Sequence, residues 1–232
     1  MNIDKNTVSA QAQVRQDHLL EIVDKGGNYN VLFVGNSITR HEPKKEIGWE
    51  NDWGMAASAK EKDYVHVTIQ QLEEKLGTIN YATLNASCWE RSYYQDEGLQ
   101  VFEGAKAFQP DLVVIRLGEN MWSAKDYFAN HPIAKHYAKM VDYFTFTPNV
   151  KIIITDLFWK NATIDDAIHS VAKEKGYTLV SLSDLGENQE NMAIGKFWHE
   201  GVALHPGDLG MQRIGRRIAQ AILQQMDDNS SL

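Results

Sequence analysis

The chain has 232 residues, of which 43% are hydrophobic and 23% are charged, and its net charge at pH 7 is −8. This length can bury a full hydrophobic core, and the acidic balance argues against nucleic acid or an anionic membrane surface as the main partner. Residues 1–16 are polar and contain no hydrophobic signal region, and no segment approaches the ~18 apolar residues of a transmembrane helix. The sequence therefore predicts a cytoplasmic protein that does not contact a membrane.

Short apolar segments of strand character alternate with helical patterns along the chain. The predicted helices are 8–25, 64–76, 99–108, 124–144, 164–175 and 208–226, and the predicted strands are 31–34, 81–84, 112–115, 150–154 and 178–182. Such alternation is typical of an α/β protein in which helices cover both faces of a parallel sheet. We expect a three-layer α/β/α sandwich with about five strands. No linker divides the chain, so residues 1–232 are predicted to form one domain.

Two segments, 40–57 and 183–204, do not fit the regular alternation. Long irregular segments at the carboxyl end of a parallel sheet commonly form the functional site. The first contains Trp49 and Trp53 among polar residues, a composition that suits a sugar-like or small polar ligand. The two tryptophans could equally pack beneath a loop, and the sequence leaves both interpretations open.

The first predicted strand leads directly into a serine. Val31–Val34 is apolar enough to be buried on both faces, and Gly35 and Asn36 then precede Ser37. In open α/β sheets, ligands bind at the carboxyl edge that this serine reaches. Ser37 is therefore either a nucleophile or a polar cap at the start of a helix.

Two further segments place polar side chains after predicted elements. Gly118-Glu119-Asn120 follows a buried strand, where an asparagine amide can stabilise a developing oxyanion or serve as a turn residue. His205 stands before Pro206 and the last helix, where it can act on Ser37 as a general base. The other seven histidines lie in helical or polar contexts, for which we expect ordinary surface roles.

In this order, Gly35-Asn36-Ser37-Ile38-Thr39, Gly118-Glu119-Asn120 and His205-Pro206 resemble the sequence blocks of the SGNH (GDSL-type) hydrolases. The first block of that family is commonly Gly-Asp-Ser, so Asn36 is a mild variant. The resemblance covers residues 28–225 and implies a flavodoxin-like core, with the N-terminal helix 8–25 packed on it. It also implies an esterase-type site with Ser37 as nucleophile and His205 as base. The Ser37 backbone amide, a second backbone amide and the Asn120 side chain would form the oxyanion hole.

The sequence departs from the family pattern at two positions. The glycine whose amide enters the oxyanion hole is replaced by Glu90, whose backbone could still donate while its side chain points away. The acidic residue three places before the histidine is replaced by Val202. Glu200 could orient His205 if the loop bulges, Asp208 is a weaker candidate, and a Ser–His dyad held by a backbone carbonyl is the remaining alternative.

The resemblance implies a serine ester hydrolase that removes a short acyl group, such as acetyl from a carbohydrate. We expect no cofactor, and no metal either, because the six-residue separation of His199 and His205 matches no helical ligand motif and no cysteine assists. Asn36 and Gly118, together with Trp49 and Trp53, are expected to contact the substrate. An acyltransferase would use the same residues. A non-catalytic carbohydrate-binding or scaffold protein that keeps the fold is the alternative of a different class. The sequence is compatible with an oligomer and predicts no nucleic-acid partner.

Overall fold

The computed structural model describes residues 20–230 and contains a six-stranded sheet. The strands lie in the order β1-β3-β2-β4-β5-β6, and every pair is parallel except β1 with β3. They are Leu20–Val23 (β1), Asn30–Gly35 (β2), Asn80–Asn85 (β3), Leu112–Arg116 (β4), Lys151–Thr155 (β5) and Thr178–Val180 (β6). The predicted α/β fold is confirmed, with one strand more than expected.

The additional strand, β1, corrects part of a helix prediction. Residues 20–23 were expected at the end of a helix spanning 8–25, but they pair with β3 so that Leu20 lies opposite Leu84. An open sheet edge offers unpaired backbone N–H and C=O groups, and a short apolar segment beside it satisfies them as a strand. The rest of the predicted helix, residues 8–19, lies outside the described residues.

The helices follow the predicted positions with two changes. The segment predicted as one helix over 124–144 is interrupted at Pro132, because proline lacks the N–H that a helix interior needs. The segment predicted as a helix over 99–108 belongs to a longer 3-10 helix. The α-helices are Tyr64–Leu76 (α1), Ser87–Arg91 (α2), Ile133–Phe144 (α3), Ala162–Lys175 (α4), Glu200–Ala203 (α5) and Asp208–Ser230 (α6). The 3-10 helices are Lys45–Ile47, Lys60–Lys62, Asp96–Phe108, Met121–Tyr127, Leu185–Glu187 and Gln189–Asn191.

Both faces of the central strands are buried. Along β2, Val31 and Phe33 pack with residues of α1 and α6, whereas Leu32 and Val34 pack with α3, α4 and the Asp96–Phe108 segment. All four side chains are inaccessible to solvent, as expected for a parallel strand between two helical layers. No helix within residues 20–230 is both long enough and apolar enough to cross a lipid bilayer.

The strand order places a crevice beside β2. The chain passes from β2 to β3 on one side of it and then to β4 on the other side. Connections that leave in opposite directions open a crevice at the carboxyl ends of the two central strands, and ligands bind there in open α/β sheets. Ser37 follows β2 and Asn120 follows β4, so the topology brings these two residues to the same crevice.

Candidate active site

A tight turn after β2 holds Ser37. A Cβ atom on Gly35 would lie only 1.8 Å from Oγ1 of Thr39, so the turn requires a glycine at this position. The backbone N–H groups of Thr39 and Arg40 both donate to the carbonyl of Asn36 at 2.9 and 3.0 Å, which closes the turn. Ser37 is consequently presented, half-buried, at the wall of a cleft.

His205 is hydrogen-bonded to Ser37. Its Nε2 lies 2.8 Å from the Ser37 Oγ, and its Nδ1 lies 2.6 Å from the carbonyl oxygen of Gly201. A carbonyl can only accept, so Nδ1 carries the proton and Nε2 is free to accept one from the serine hydroxyl. Burial lowers the pKa of His205 to about 4, and the bond to Gly201 opposes that shift. The ring is therefore neutral at pH 7, the state that a general base requires.

Neither of the two acidic residues considered as partners of His205 contacts its ring. Glu200 is exposed at the first position of α5, while the Gly201 carbonyl occupies the hydrogen-bonding position on Nδ1. Asp208 accepts hydrogen bonds from the backbone N–H of Ser58 and from Lys62. The geometry is that of a Ser–His pair oriented by a backbone carbonyl, which is one of the arrangements that the sequence left open.

The position where the family pattern has an acid is instead part of the apolar packing. Val202 is buried and packs in a small cluster with Trp49 and Met55. Val202 also lines the cleft, and a valine there offers no group that could accept a hydrogen bond from Nδ1 of His205. Nδ1 of His205 bonds to the Gly201 carbonyl instead.

Glu90 has a different position from the one expected. The prediction placed its backbone N–H in the oxyanion hole, but the whole residue is buried in α2, and the cleft wall is formed by Ser87 and Arg91 on either side of it. Its carboxylate accepts hydrogen bonds from the Gly118 N–H at 2.6 Å and from the side chain of Asn120. Glu90 therefore lies behind the cleft wall, where its side chain binds Gly118 and Asn120.

A buried network of polar side chains connects the ends of β2 and β4. Arg116 has no solvent exposure and donates to Oε1 of Glu119 at 2.6 and 2.7 Å and to Oδ1 of Asn36 at 3.1 Å. The Asn36 amide in turn donates to Glu90 at 3.0 Å and to Glu119 at 2.7 Å. Asn36 was expected to contact substrate, but every polar atom of its side chain is used in this network. It supports the site from behind.

Gly118 also has a supporting position, not a substrate-contacting one. Its φ angle is +144°, and a Cβ atom there would lie 2.6 Å from a methyl group of Leu157. This backbone conformation strongly favours glycine. It turns the chain after β4 so that the Gly118 N–H points at Glu90 and Asn120 reaches the cleft wall.

The cleft has a volume of about 320 Å³ and a polar wall of mixed character. Among its described lining residues none is acidic, although the whole chain carries a net charge of −8. Two histidines that we expected to have surface roles, His41 and His199, belong to the wall. The lining residues are Ser37, His41, Ile47, Met55, Ser87, Arg91, Asn120, His199, Gly201, Val202 and His205.

The tryptophans near the cleft are distributed differently from the prediction. Trp49 is fully buried, and Trp53 donates its ring N–H to the Ala57 carbonyl at 3.0 Å. Neither belongs to the cleft wall. Two tryptophans that sequence reasoning missed, Trp159 and Trp198, contact histidines of the cleft wall. The rings of Trp159 and His205 form an edge-to-face contact, with their centroids 5.2 Å apart. Trp198 is 74% exposed and lies beside the turn at Gly48.

The position of Trp159 could have been inferred from its place shortly after a predicted strand, as Asn120 was. The position of Trp198 depends on the fold of an irregular loop, which carries no periodic signal. Within residues 20–230, no three histidine, cysteine, aspartate or glutamate side chains come together as a set that could hold a metal ion.

Comparisons with known proteins identify the fold. No family model and none of the curated proteins matches the chain. The structure is similar to a family 3 carbohydrate esterase of Clostridium thermocellum, with a TM-score of 0.58, 17% identity, and coverage of 86% of this chain and 98% of that one. A family 3 carbohydrate esterase of Talaromyces cellulolyticus has a TM-score of 0.57 at 16% identity, with coverage of 86% and 99%. A lipase/acylhydrolase of Enterococcus faecalis has a TM-score of 0.57 at 12% identity, with coverage of 85% and 96%.

At these identities the similarity establishes the fold. The chain has the fold of the GDSL-like lipases and carbohydrate esterases, as the three sequence blocks predicted.

Proposed function

We propose that this protein is a serine ester hydrolase that removes a short acyl group through an acyl-enzyme intermediate. The observation that carries the proposal is the 2.8 Å hydrogen bond between Ser37 Oγ and Nε2 of His205, whose other nitrogen is fixed by Gly201. A nucleophile, a neutral base and a group that orients the base are the components that such catalysis requires. The fold, which is shared with carbohydrate esterases and a lipase/acylhydrolase, supports ester chemistry.

In the acylation step, the Ser37 oxygen forms a bond to the ester carbonyl carbon while its proton passes to Nε2 of His205. The carbonyl π electrons move to the oxygen, which becomes the oxyanion of a tetrahedral intermediate. When that intermediate collapses, the bond to the alcohol oxygen breaks. His205 returns the proton to that oxygen, and the acyl group stays on Ser37.

In the deacylation step, water takes the place of the alcohol. His205 accepts a proton from water as the water oxygen attacks the acyl carbon, and the same proton returns to Ser37 when the acid leaves. His205 is transiently an imidazolium in both steps. The Gly201 carbonyl stabilises that ion through its dipole on Nδ1–H, although less than a carboxylate would.

The oxyanion lies between two donors in this proposal. One is the backbone N–H of Ser37, and the other is the side-chain amide of Asn120, which lines the same cleft. Donors directed at charge that develops only in the transition state each contribute on the order of 3 kcal/mol.

The substrate class follows from the size and charge of the cleft. A volume of about 320 Å³ is at the small end of ligand sites and fits a short acyl group such as acetyl. Since none of the described lining residues is acidic, the cleft favours neutral or anionic esters. We propose an acetylated carbohydrate as substrate, with the exposed Trp198 beside the cleft available to stack on a sugar ring.

The test uses the Ser37→Ala variant and 4-nitrophenyl acetate. We expect a loss in kcat of about 10⁴-fold or more, because removal of a nucleophile abolishes the covalent route. Ser92→Ala removes a hydroxyl that bonds to the Cys88 carbonyl, and this control should keep normal turnover. A fluorophosphonate probe should label the wild type and Ser92→Ala but not Ser37→Ala. Wild-type protein that neither reacts with the probe nor hydrolyses acetyl esters would instead support a non-catalytic binding protein.

A further inference from the structure

The side chain of Asn120 lies between two opposite charges contributed by consecutive residues of α2. Its Nδ2 donates to the carboxylate of Glu90, and its Oδ1 accepts a hydrogen bond of 3.2 Å from the guanidinium of Arg91. We infer that Glu90 and Arg91 are positioning residues that fix the orientation of the Asn120 amide and so keep its N–H directed at the oxyanion. The catalytic part of this inference rests on the proposed function.

The two charged groups allow only one orientation of the amide. A carboxylate has no proton to donate, and a guanidinium has no lone pair to offer. If the Asn120 amide were reversed, its oxygen would face Glu90 and its NH₂ group would face Arg91, so both hydrogen bonds would be lost. In the observed orientation one N–H is bonded to Glu90, which leaves the second N–H of the NH₂ group for the cleft.

Glu90 can serve as a fixed acceptor because it is itself held in place. Its Oε1 accepts hydrogen bonds from the Gly118 N–H at 2.6 Å and from the Asn36 amide at 3.0 Å. Glu90 is also completely buried. Every donor on this carboxylate is an N–H group, which matches an ionised acid. The Glu90 carboxylate is thus hydrogen-bonded to Asn120, to Gly118 and to Asn36 of the Ser37 turn.

The orientation of Asn120 should depend on pH, because it requires the charged form of Glu90. Its surroundings are the ion pair of Arg116 and Glu119, the exposed guanidinium of Arg91, and the side chains of Cys88 and Tyr137. Burial and the Glu119 carboxylate raise the pKa of Glu90, while the N–H donors lower it. Protonation would place an O–H against the N–H groups and release Asn120, so the donor is held only while Glu90 is ionised.

The first experiment measures the kinetics of Glu90→Gln with 4-nitrophenyl acetate. A glutamine NH₂ facing Asn120 would turn the amide around, and we expect kcat to fall about 10²-fold while KM changes less than about threefold. Asp165→Asn is the matched control, because Asp165 is a buried carboxylate that accepts two backbone N–H bonds outside the cleft. The control should keep its kcat even if its Tm falls.

A double-mutant cycle then separates positioning from general stabilisation. In an Asn120→Ala background, Glu90→Gln should cost less than about threefold in kcat, since the group that it positions is absent. If the two losses multiply, Glu90 does not act through Asn120 and the inference is wrong. The wild-type pH profile should also contain an acid-side ionisation that Glu90→Gln lacks. An identical profile in both proteins would contradict the role of the charge.

Two further measurements keep the inference testable if Glu90→Gln does not fold or if the protein is not an esterase. Arg91→Met changes an exposed residue, so it should fold normally and lower kcat about tenfold; an unchanged kcat would remove Arg91 from the inference. NMR of the ¹⁵N-labelled protein reads the Asn120 NH₂ directly. The NH₂ proton that is bonded to Glu90 should exchange with water slowly in the wild type and more rapidly in Arg91→Met or when Glu90 is protonated. Equal exchange in all of these states would overturn the inference, whatever the catalytic activity.

Discussion

His205 and Asn120, which lie on the two sides of Ser37, are oriented by different kinds of group. On the His205 side, the imidazole is oriented by a single backbone carbonyl, that of Gly201, and no carboxylate bonds to the ring among the described residues. On the Asn120 side, the amide is oriented by charged side chains, with Glu90 and Arg91 in direct contact. A carbonyl dipole stabilises an imidazolium less than a carboxylate does. In the proposed esterase reaction, we therefore expect more of the transition-state stabilisation to come from the Asn120 side than from the His205 side.

The charged side also has a larger energetic cost. Arg116 and Glu119 form an ion pair with side-chain exposures of 0% and 3%, and desolvation of such a pair offsets much of its attraction. Once both partners are buried, removal of either one leaves an uncompensated charge. Among residues 20–230, no charged side chain is hydrogen-bonded to the His205 ring, so the two sides should respond differently to substitution and to pH.

The largest expected effect is on stability and comes from Arg116→Met. Glu119 would be left buried beside Glu90 without its cation, and we expect a loss of about 3–5 kcal/mol in the free energy of unfolding. For a chain of this size the corresponding decrease in Tm is about 6–20 °C. Arg217→Met, which breaks an exposed ion pair with Asp184, should cost less than about 1 kcal/mol. Thermal unfolding of both variants checks this, and equal losses would show that the buried pair has no special importance.

The next effect is the titration of His205. We expect NMR of the labelled ring to show protonation near pH 4, below the usual value of about 6.5, because burial disfavours the charged ring. Between these two values the unfolded chain binds a proton that the folded chain does not, so His205 makes the fold less stable as pH falls through this window. Because His205 would stay neutral above pH 5, any activity lost between pH 5 and 7 would be caused by a group on the Asn120 side, such as Glu90. If His205 instead titrated with a midpoint near pH 6.5, a loss of activity between pH 5 and 7 could not be assigned to the Asn120 side.

The smallest expected effect belongs to Glu200→Gln. A triad acid costs about 10⁴-fold in kcat when it is removed, whereas an exposed carboxylate outside the His205 hydrogen bonds should change kcat by less than about threefold. Steady-state kinetics of this variant therefore tests the asymmetry between the two sides. A loss of a hundredfold or more would show that Glu200 reaches His205 during catalysis and that the site is a triad.

Sequence reasoning identified the components of the candidate site better than their supports. Ser37, Asn120 and His205 were predicted because each follows a strand or precedes a helix in a recognisable block, and the structure places all three in one cleft wall. The carbonyl that orients His205 is only four residues away in the sequence, but the groups that hold Asn36 and Asn120 come from distant positions. For example, the bond between Glu90 and Asn36 spans 54 positions, and no local pattern shows whether the Glu90 side chain points into the protein or out of it.

The two irregular segments illustrate the same limit. The prediction that they build the site is consistent with the cleft, which His41, Ile47 and Met55 line from one segment and His199 from the other. Which tryptophans would face the cleft was not predictable, because a loop has no periodicity to define its buried side. Trp49 became part of a buried cluster, whereas Trp198 stayed exposed.

By itself, the sequence determined the layered α/β fold and the place of the Ser37 turn. Continuous apolar strands, separated by helical patterns, can be buried only between two layers of helices. Tertiary structure alone decided how the turn is supported. Hydrogen bonds form only between groups that the completed fold brings within about 3 Å. The use of the Glu90 carboxylate for Asn120 therefore depended on packing between distant segments, whereas the Gly201 carbonyl reaches His205 through the local conformation of α5 and the turn after it.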